Sequence, residues 1–395
     1  MLKGKTVLLC VSGSIAAYKI ANLARMLTKE NCTVHVLMTQ NATNFINPIT
    51  FETLTSHKCL VDTFDRNFEY SVEHVALAKA ADLVLIAPAS ANVIGKIACG
   101  IADDMLTTTV MACPCKKLIA PAMNHNMFHN PIVQDNIKKL QHYGYEIVSP
   151  ERGRLANGDI GDGRMCEEGL LFEHILRHIA KPKDLSGKKI LVTAGATMEA
   201  IDPVRYITNH STGKMGTAIA YAAMQRGADV TLVAAHMEVA PPPFVEVVHT
   251  TSAKDMAEAV LSRSAEMDII IKSAAVADYT PKMVADEKIK KSGDDMSIEL
   301  ERTQDILAAL GSQKRDGQII CGFSMETSNL LENSRAKLEK KNADIIAANC
   351  LKTEGAGFGV DTNVLTLISR NEVVELPKMS KHEAADKLLD FILNL

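Results

Sequence analysis

Short apolar runs alternate with stretches whose apolar residues recur every three or four positions, and the alternation continues along nearly the whole chain. In the first half, Thr6–Val11, Thr33–Met38, Asp82–Ala87, Lys117–Pro121 and Glu146–Val148 read as buried strands separated by helical patterns. The second half repeats the style at Lys189–Thr193, Asp229–Val233, Val245–Val248, Asp268–Ile271, Gln318–Gly322 and Asp344–Ala347. Val364–Ile368 is expected as an edge strand, followed by a closing helix from about Lys381. Strands alternating with helices predict an α/β fold with two Rossmann-like, doubly wound parallel sheets.

The chain also begins twice. Leu2-Lys-Gly-Lys-Thr-Val-Leu-Leu9 is echoed by Leu185-Ser-Gly-Lys-Lys-Ile-Leu-Val192, and both runs end in small residues, Ser12-Gly13-Ser14 and Ala194-Gly195-Ala196-Thr197. Lys181-Pro182-Lys183-Asp184 precedes the second start as a linker, which predicts domains at 1–183 and 184–395. Pro241-Pro242-Pro243 interrupts a loop, and the charged, turn-rich stretch from Pro281 to Ser297 reads as an exposed flap.

Length agrees, since 395 residues at roughly 100–200 per domain make two to three folding units. With 47% hydrophobic and 23% charged residues the chain can build sizeable cores. A net charge of −4 without a dense basic tract argues against a dedicated nucleic-acid binder. Nine cysteines cannot all pair and form no CxxC, and Cys113 and Cys115 lack the His or second pair that completes a zinc site. A reducing cytoplasm fits this usage. Lys3 and Lys5 ahead of Thr6–Val11 imitate a signal peptide, but the run meets Ser12 after six residues, which suits a buried strand better. No later stretch reaches the ~18 uninterrupted apolar residues of a membrane span.

Candidate chemistry collects where strands give way to helices. Gly13 and Ser14 lie in a turn that is either an ordinary strand-to-helix connection or a helix N-terminus receiving a phosphate. Pro88-Ala-Ser90-Ala-Asn92 leaves another strand at the edge where open α/β sheets bind ligands. Its small residues let a planar ring approach, and Ser90 and Asn92 offer hydrogen bonds. His74 opens a helical pattern, a place where histidines are usually just exposed, and Met123-Asn124 follows a strand, with Met127 beyond it as either core or cofactor wall. In the second half, Ser211-Thr-Gly-Lys-Met-Gly216 opens a helix. It does not fit a Walker loop, so it is either a phosphate cradle or a glycine-mediated packing contact. Lys288-Ile-Lys290-Lys291 in the flap is a solvated hairpin or a mobile charge that closes over a nucleotide. Lys337 and Lys341, four apart, share one helix face.

Taken together these motifs carry a resemblance. Gly13-Ser-Ile-Ala-Ala17, His74, Pro88 through Asp104 and Pro121-Ala-Met-Asn-His-Asn-Met-Phe128 resemble the signatures of flavin-dependent cysteine decarboxylases. Asp202 through Gly216 and Ala274-Ala-Val-Ala-Asp-Tyr279 resemble phosphopantothenate–cysteine ligases. In this order they look like the bifunctional coenzyme A biosynthesis family of bacteria. For the first half the resemblance implies a flavodoxin-like fold, bound FMN and decarboxylation of 4′-phosphopantothenoylcysteine to 4′-phosphopantetheine, the flavin supplying an electron sink. It assigns FMN contacts to Gly13, Ser14, Thr39, Pro88, Ser90, Asn92, Thr107 and Met123, action at the thiol or carboxylate to His74, and a hold on the carboxylate to Asn124.

For the second half it implies CTP- and Mg²⁺-dependent joining of 4′-phosphopantothenate to cysteine through an acyl-cytidylate, with no metal ligand identifiable. Lys288 would stabilise developing charge and Asn209 would contact the acyl intermediate. CTP contacts fall on Ser273, Ala274, Asp278 and Lys288, on Gln304, Asp305, Ile306 and Leu307, and on Phe323, Lys337 and Lys341. The resemblance also implies a homo-oligomer, a dodecamer of trimers and dimers. One departure stands out. The family's substrate clamp reads Ala-Cys-Gly-Asp with the Cys as proton donor, whereas this chain reads Ala156-Asn157-Gly158-Asp159. An amide has no proton comparable to a thiol's, with its reference pKa of about 8.5. Cys166, another donor or water would have to serve, or turnover stops at the oxidised enethiol. The alternative is therefore an active ligase fused to a flavin-binding or regulatory domain. An NAD(P)-linked oxidoreductase lacks its GxGxxG and acidic ribose partner here.

Overall fold

The two faces of the first strand are buried in two different cores. In β1 (Thr6–Val11), Val7, Leu9 and Val11 point to one side and Leu8 and Cys10 to the other, all fully buried. Such two-sided burial is what a strand inside a parallel sheet covered by helices requires. The computed structural model describes residues 1–64, 73–154, 158–290, 296–326, 329–350, 357 and 359–395. They form two compact units, Met1–Lys181 and Pro182–Leu395.

In the first unit, β1 is followed by α1 (Ala17–Lys29), β2 (Thr33–Met38), α2 (Pro48–Thr55) and α3 (Glu73–Ala80). β3 (Leu83–Ala89), α4 (Ala91–Ala98), α5 (Met105–Ala112), β4 (Lys116–Pro121), α6 (His125–Phe128), α7 (Pro131–His142) and β5 (Glu146–Ile147) continue the alternation. A hairpin of β6 (Glu151–Arg154) and β7 (Ile160–Arg164) then precedes α8 (Glu168–Ile179). The main sheet is parallel in the order β2-β1-β3-β4-β5, with α1, α2 and α8 on one face and α3, α4, α5 and α7 on the other. The order reverses between β1 and β3. This is the flavodoxin-like arrangement, and its crevice opens where the carboxyl ends of those two strands diverge.

The second unit runs β8 (Lys189–Ala194), β9 (Met198–Ala200), β10 (Tyr206–Thr208), α9 (Lys214–Gln225), β11 (Asp229–Ala234), β12 (Glu246–His249), α10 (Ala253–Ser264) and β13 (Ile269–Lys272). It continues through β14 (Tyr279–Pro281), β15 (Leu300–Arg302), α11 (Ile306–Ser312), β16 (Ile319–Glu326), α12 (Leu330–Lys340) and β17 (Ile345–Cys350). β18 (Thr362–Asn363), β19 (Thr366–Ser369), β20 (Val373–Glu375), β21 (Met379–Ser380) and α13 (Lys381–Leu393) complete it. The sheet order is β12-β11-β8-β13-β16-β17-β19-β20, reversing between β8 and β13. α9 and α13 cover one face, while α10, α11 and α12 cover the other.

The closing helix starts at Lys381 as expected, because Ser380 and Glu383 form a reciprocal capping box. The expected edge strand needs correcting. β19 is antiparallel to β17 but lies inside the sheet, because the turn after it sends β20 back along its free side. Among the described residues, no helix is long and apolar enough to cross a membrane.

Candidate active sites

Four loops gather at the carboxyl edge of the first sheet, and one buried hydroxyl fastens two of them. Ser12 Oγ donates to the Pro88 carbonyl at 2.6 Å and accepts from the Ser90 amide at 2.9 Å, tying the ends of β1 and β3 at the point of reversal. Gly13 brings the same turn against the segment after β2, where an added Cβ would lie 2.8 Å from Asn41 Cβ. Ser90 caps α4 and Asn92 is exposed just beyond it. Thr39, nearly buried, caps the 3-10 turn Gln40–Asn44 through its hydroxyl. Thr107 is fully buried and reciprocally caps α5 with Asp104, so its hydroxyl is already engaged.

A cavity of about 420 Å³ opens on the α1 side of these loops. Ser14, Ile15 and Tyr18 line it from the start of α1, and Met123 and Asn124 from the end of β4. The β6–β7 hairpin closes it, held by the Met123 amide donating to the Gly163 carbonyl at 3.0 Å. Gly163 has φ +114°, and a Cβ there would meet the Met123 carbonyl at 2.4 Å, so only glycine permits this approach. Three cations line the cavity, Lys19, Arg154 and Arg164. Lys19 Nζ lies 2.8 Å from Glu167 Oε2, and Arg164 pairs with the same carboxylate. Small residues at the reversal and an apolar wall of Ile15, Tyr18 and Met123 fit a planar heterocycle such as the ring of a flavin mononucleotide.

His74 lies partly exposed on α3, a helix on the opposite face of the sheet from α1, and does not line this cavity. Asn157 lies outside the described residues. Cys166 is buried in the core between α1 and α8, where burial pushes its thiol up to about 12. It faces the core and does not line the cavity. His125, His129 and Asp162 bring ligand atoms within 4.8 Å of one another. Their groups are already joined, His129 Nε2 to Asp162 Oδ2 at 2.9 Å and the Asp162 amide to His125 Nδ1 at 3.1 Å, so they tie the hairpin to α6.

In the second unit the loops after β8 and β13 are laced together by threonines. Thr193 Oγ1 accepts from the Ala274 amide and Thr197 Oγ1 from the Ala277 amide, each at 3.0 Å. Asn209 Nδ2 donates to the Ala275 carbonyl at 3.3 Å, which brings it to the same loop, and the Ser273 hydroxyl donates to the Thr193 carbonyl. Gly216 is a packing glycine, since a Cβ would fall 2.6 Å from Ala194 Cβ, while Gly213 takes φ +79° beside Met237.

Beyond this loop lies another cavity of about 420 Å³. Eight of the residues assigned to CTP line it: Asp278, Gln304, Asp305, Ile306, Leu307, Phe323, Lys337 and Lys341. Ser273, Ala274 and Lys288 do not. Lys288 is exposed in the flap, whose next residue is anchored by Asp202: the carboxylate accepts from the Ile289 amide at 3.1 Å, and Arg205 bonds both Asp202 and the Ile289 carbonyl. Lys291 lies outside the described residues. Lys341 pairs with Asp305, and this ion pair, against the opposing effect of burial, holds the Asp305 carboxyl below its usual range. Lys337 donates to the Phe323 carbonyl at 2.9 Å, and burial lowers its ammonium.

Several contributors escaped the sequence reading: Ser12, Lys19, Arg154 and Arg164 in the first unit, and Lys272, Arg302 and the two threonines in the second. Only Lys272 carried a sequence signal, a charge ending the apolar run Ile269-Ile-Ile.

Each unit is therefore a ligand-binding doubly wound α/β unit, the first with a flavin-type crevice and the second with a cationic, polar cavity. Residues 1–180 match the family described as "Flavoprotein", and residues 185–395 match "DNA/pantothenate metabolism flavoprotein C-terminal domain". The chain is 46% identical over 399 residues to the coenzyme A biosynthesis bifunctional protein CoaBC of Bacillus subtilis (strain 168), covering 100% of this chain and 98% of that one. It is 43% identical over 393 residues to the protein of the same name from Vibrio cholerae, covering 99% and 98%. A crystal structure of the C-terminal domain of a CoaBC protein shares 46% identity over 53% of this chain and 95% of that one, with a TM-score of 0.45. The chain belongs to the family of bifunctional coenzyme A biosynthesis proteins, and its first half is a flavoprotein unit.

Proposed function

We propose that the chain catalyses two consecutive steps of coenzyme A biosynthesis. The unit Pro182–Leu395 joins 4′-phosphopantothenate to cysteine at the expense of CTP, through an acyl-cytidylate. The unit Met1–Lys181 decarboxylates the resulting 4′-phosphopantothenoylcysteine to 4′-phosphopantetheine with FMN. The observation that carries this reading is that each unit holds its own cavity at the carboxyl edge of its own sheet, within a chain that matches bifunctional relatives end to end.

In the ligase unit, Lys337, Lys341 and Arg302 present positive charge to a triphosphate, while Gln304 to Leu307 and Phe323 form the wall for the base and sugar. A Mg²⁺ ion would be held by the phosphates and the Asp278 carboxylate, a donor set that suits an ion usually bound through few carboxylates. Asn209, tied to the Ala275 carbonyl, addresses the acyl intermediate, and Lys288 closes from the flap anchored by Asp202. In the decarboxylase unit, FMN would take two electrons from the thiol-bearing carbon, giving the electrons released with carbon dioxide an acceptor, and would return the pair, with a proton, to the resulting enethiol to reach phosphopantetheine. The Ser14 turn and the Pro88–Asn92 loop hold the cofactor, and Asn124 holds the substrate carboxylate. Ile15, Tyr18 and Met123 give the cavity its apolar wall, and the cations on that wall receive the phosphate end. The resemblance gives His74 a part at the thiol or carboxylate, but α3 lies on the other face of the sheet from this cavity, so that part is not supported by the cavity's own lining.

A flavin-binding or regulatory module without turnover is not favoured, because the full-length relatives are bifunctional proteins. Free cysteines support a cytoplasmic setting, and a homo-oligomer follows from the resemblance. The test is incubation with phosphopantothenate, cysteine, CTP and Mg²⁺, with every product resolved by mass. Phosphopantetheine and CMP are expected; a protein that makes neither the cysteine adduct nor carbon dioxide would overturn the assignment.

A further inference from the structure

Lys272 is the last residue of β13, and the strand's alternation places it on the face shared by Ile270 with Leu307 and Leu338 of α11 and α12. There it lines the second cavity beside Lys337 and Lys341. The other two lysines have partners within the protein: Lys341 has the Asp305 carboxylate and Lys337 the Phe323 carbonyl. Lys272 makes no hydrogen bond or ion pair among the described residues, although it is more than half buried. A half-buried ammonium without a partner carries a desolvation cost that the fold does not offset.

Resting on the ligase reading above, we propose that Lys272 is a further nucleotide-binding residue, whose ammonium contacts the phosphates of CTP at the floor of this cavity. The charge arrangement supports an anion over the base. Asp278 and Asp305 are the carboxylates on the cavity wall, Asp305 is already matched by Lys341, and Lys272, Lys337 and Arg302 together exceed the charge left on Asp278. A ligand that brings several negative charges removes the imbalance. Burial, followed by the neighbouring Lys337 charge, lowers the Lys272 ammonium to about 8. The free protein therefore carries the charge below that pH and loses it above, and bound phosphate would raise the value again. The groups facing Lys272 are Lys337 of α12 and Lys341 just after it, Asp305 ahead of α11, Arg302 from β15, Asp278 after β13 and Tyr279 at the start of β14.

The experiment measures CTP and cytidine binding by calorimetry for the full-length protein and for Lys272→Met and Lys272→Arg, at pH values from 6.5 to 9 as chosen conditions near the ordinary histidine-to-lysine range. Lys272→Met should weaken CTP about tenfold or more at the lower pH and leave cytidine unchanged, and Lys272→Arg should recover most of the loss. The wild-type affinity for CTP should fall as the pH passes through about 8, and the methionine variant should lose that part of the dependence. A melting curve of the second unit for each variant, compared with wild type, serves as the folding control. Equal CTP affinities in wild type and Lys272→Met, or an equal loss for cytidine, would overturn the proposal while leaving the ligase reading intact. Wild-type protein that releases no pyrophosphate from CTP with phosphopantothenate would remove the ligase reading, and this inference with it.

Discussion

Lys288 is exposed and reaches no core, so its replacement tests chemistry without disturbing packing. Lys288→Gln should lower acyl-cytidylate formation by about 10²- to 10³-fold, the usual loss when one charge-stabilising donor is removed. The readout is pyrophosphate release from CTP, and a wild-type rate would exclude the lysine from the reaction. Cys166 makes the opposite case. Its thiol is buried among α1 and α8 side chains, so Cys166→Ala should cost stability, as loss of a packed group does, and leave the product unchanged. Mass analysis decides. If the variant alone accumulates an enethiol two hydrogens poorer than phosphopantetheine, the thiol supplies the proton after all. Residue type was legible at both positions, but orientation was not: Cys166 is the nearest thiol in sequence to Asn157 and yet turns into the core.

At the scale of elements, the first sheet's last strand is pinned to α8 by one carboxylate. Glu146 Oε1 lies 3.0 Å from His174 Nδ1 and Oε2 2.8 Å from His178 Nε2. The hydrogen bond from His174, then that from His178, holds its carboxyl well below the usual range. A depressed carboxyl contributes stability above its unfolded value, about 4.3, and the contribution is lost as pH falls below that toward the folded value. The melting temperature of the first unit should therefore drop as pH goes from about 5 to 3, and drop less steeply in Glu146→Gln. Parallel melting curves for the two proteins over that range would show that the contact contributes nothing. The central strands were legible because their runs are buried on both faces, as in β1 and β13. The place of β19 was not, because pairing order depends on which segment returns along its open side.

The whole molecule consists of two units, each with its own sheet, cores and cavity. Expressed separately, residues 1–181 should purify yellow with FMN and residues 182–395 should release pyrophosphate from CTP while remaining colourless. A folded first segment that fails to bind added FMN would contradict the cofactor assignment, and an inactive but folded second segment would show that the ligase needs the first.

The amino-acid sequence by itself determined the α/β class, the strands and the polar loops at their ends, because hydrophobic periodicity and turn residues act locally. Motifs such as Pro121-Ala-Met-Asn124 and Ala274 through Tyr279 likewise stand in contiguous sequence. Tertiary structure alone decided which loops meet. Ser12 fastens Pro88 and Ser90, Gly163 admits the Met123 carbonyl, Asp202 anchors Ile289, and Lys272 lines a cavity beside Lys337. These relations join residues dozens of positions apart, and the Ser12 contact stands where the strand order reverses between β1 and β3. No local propensity encodes that reversal; it follows from burying both faces of each sheet under helices.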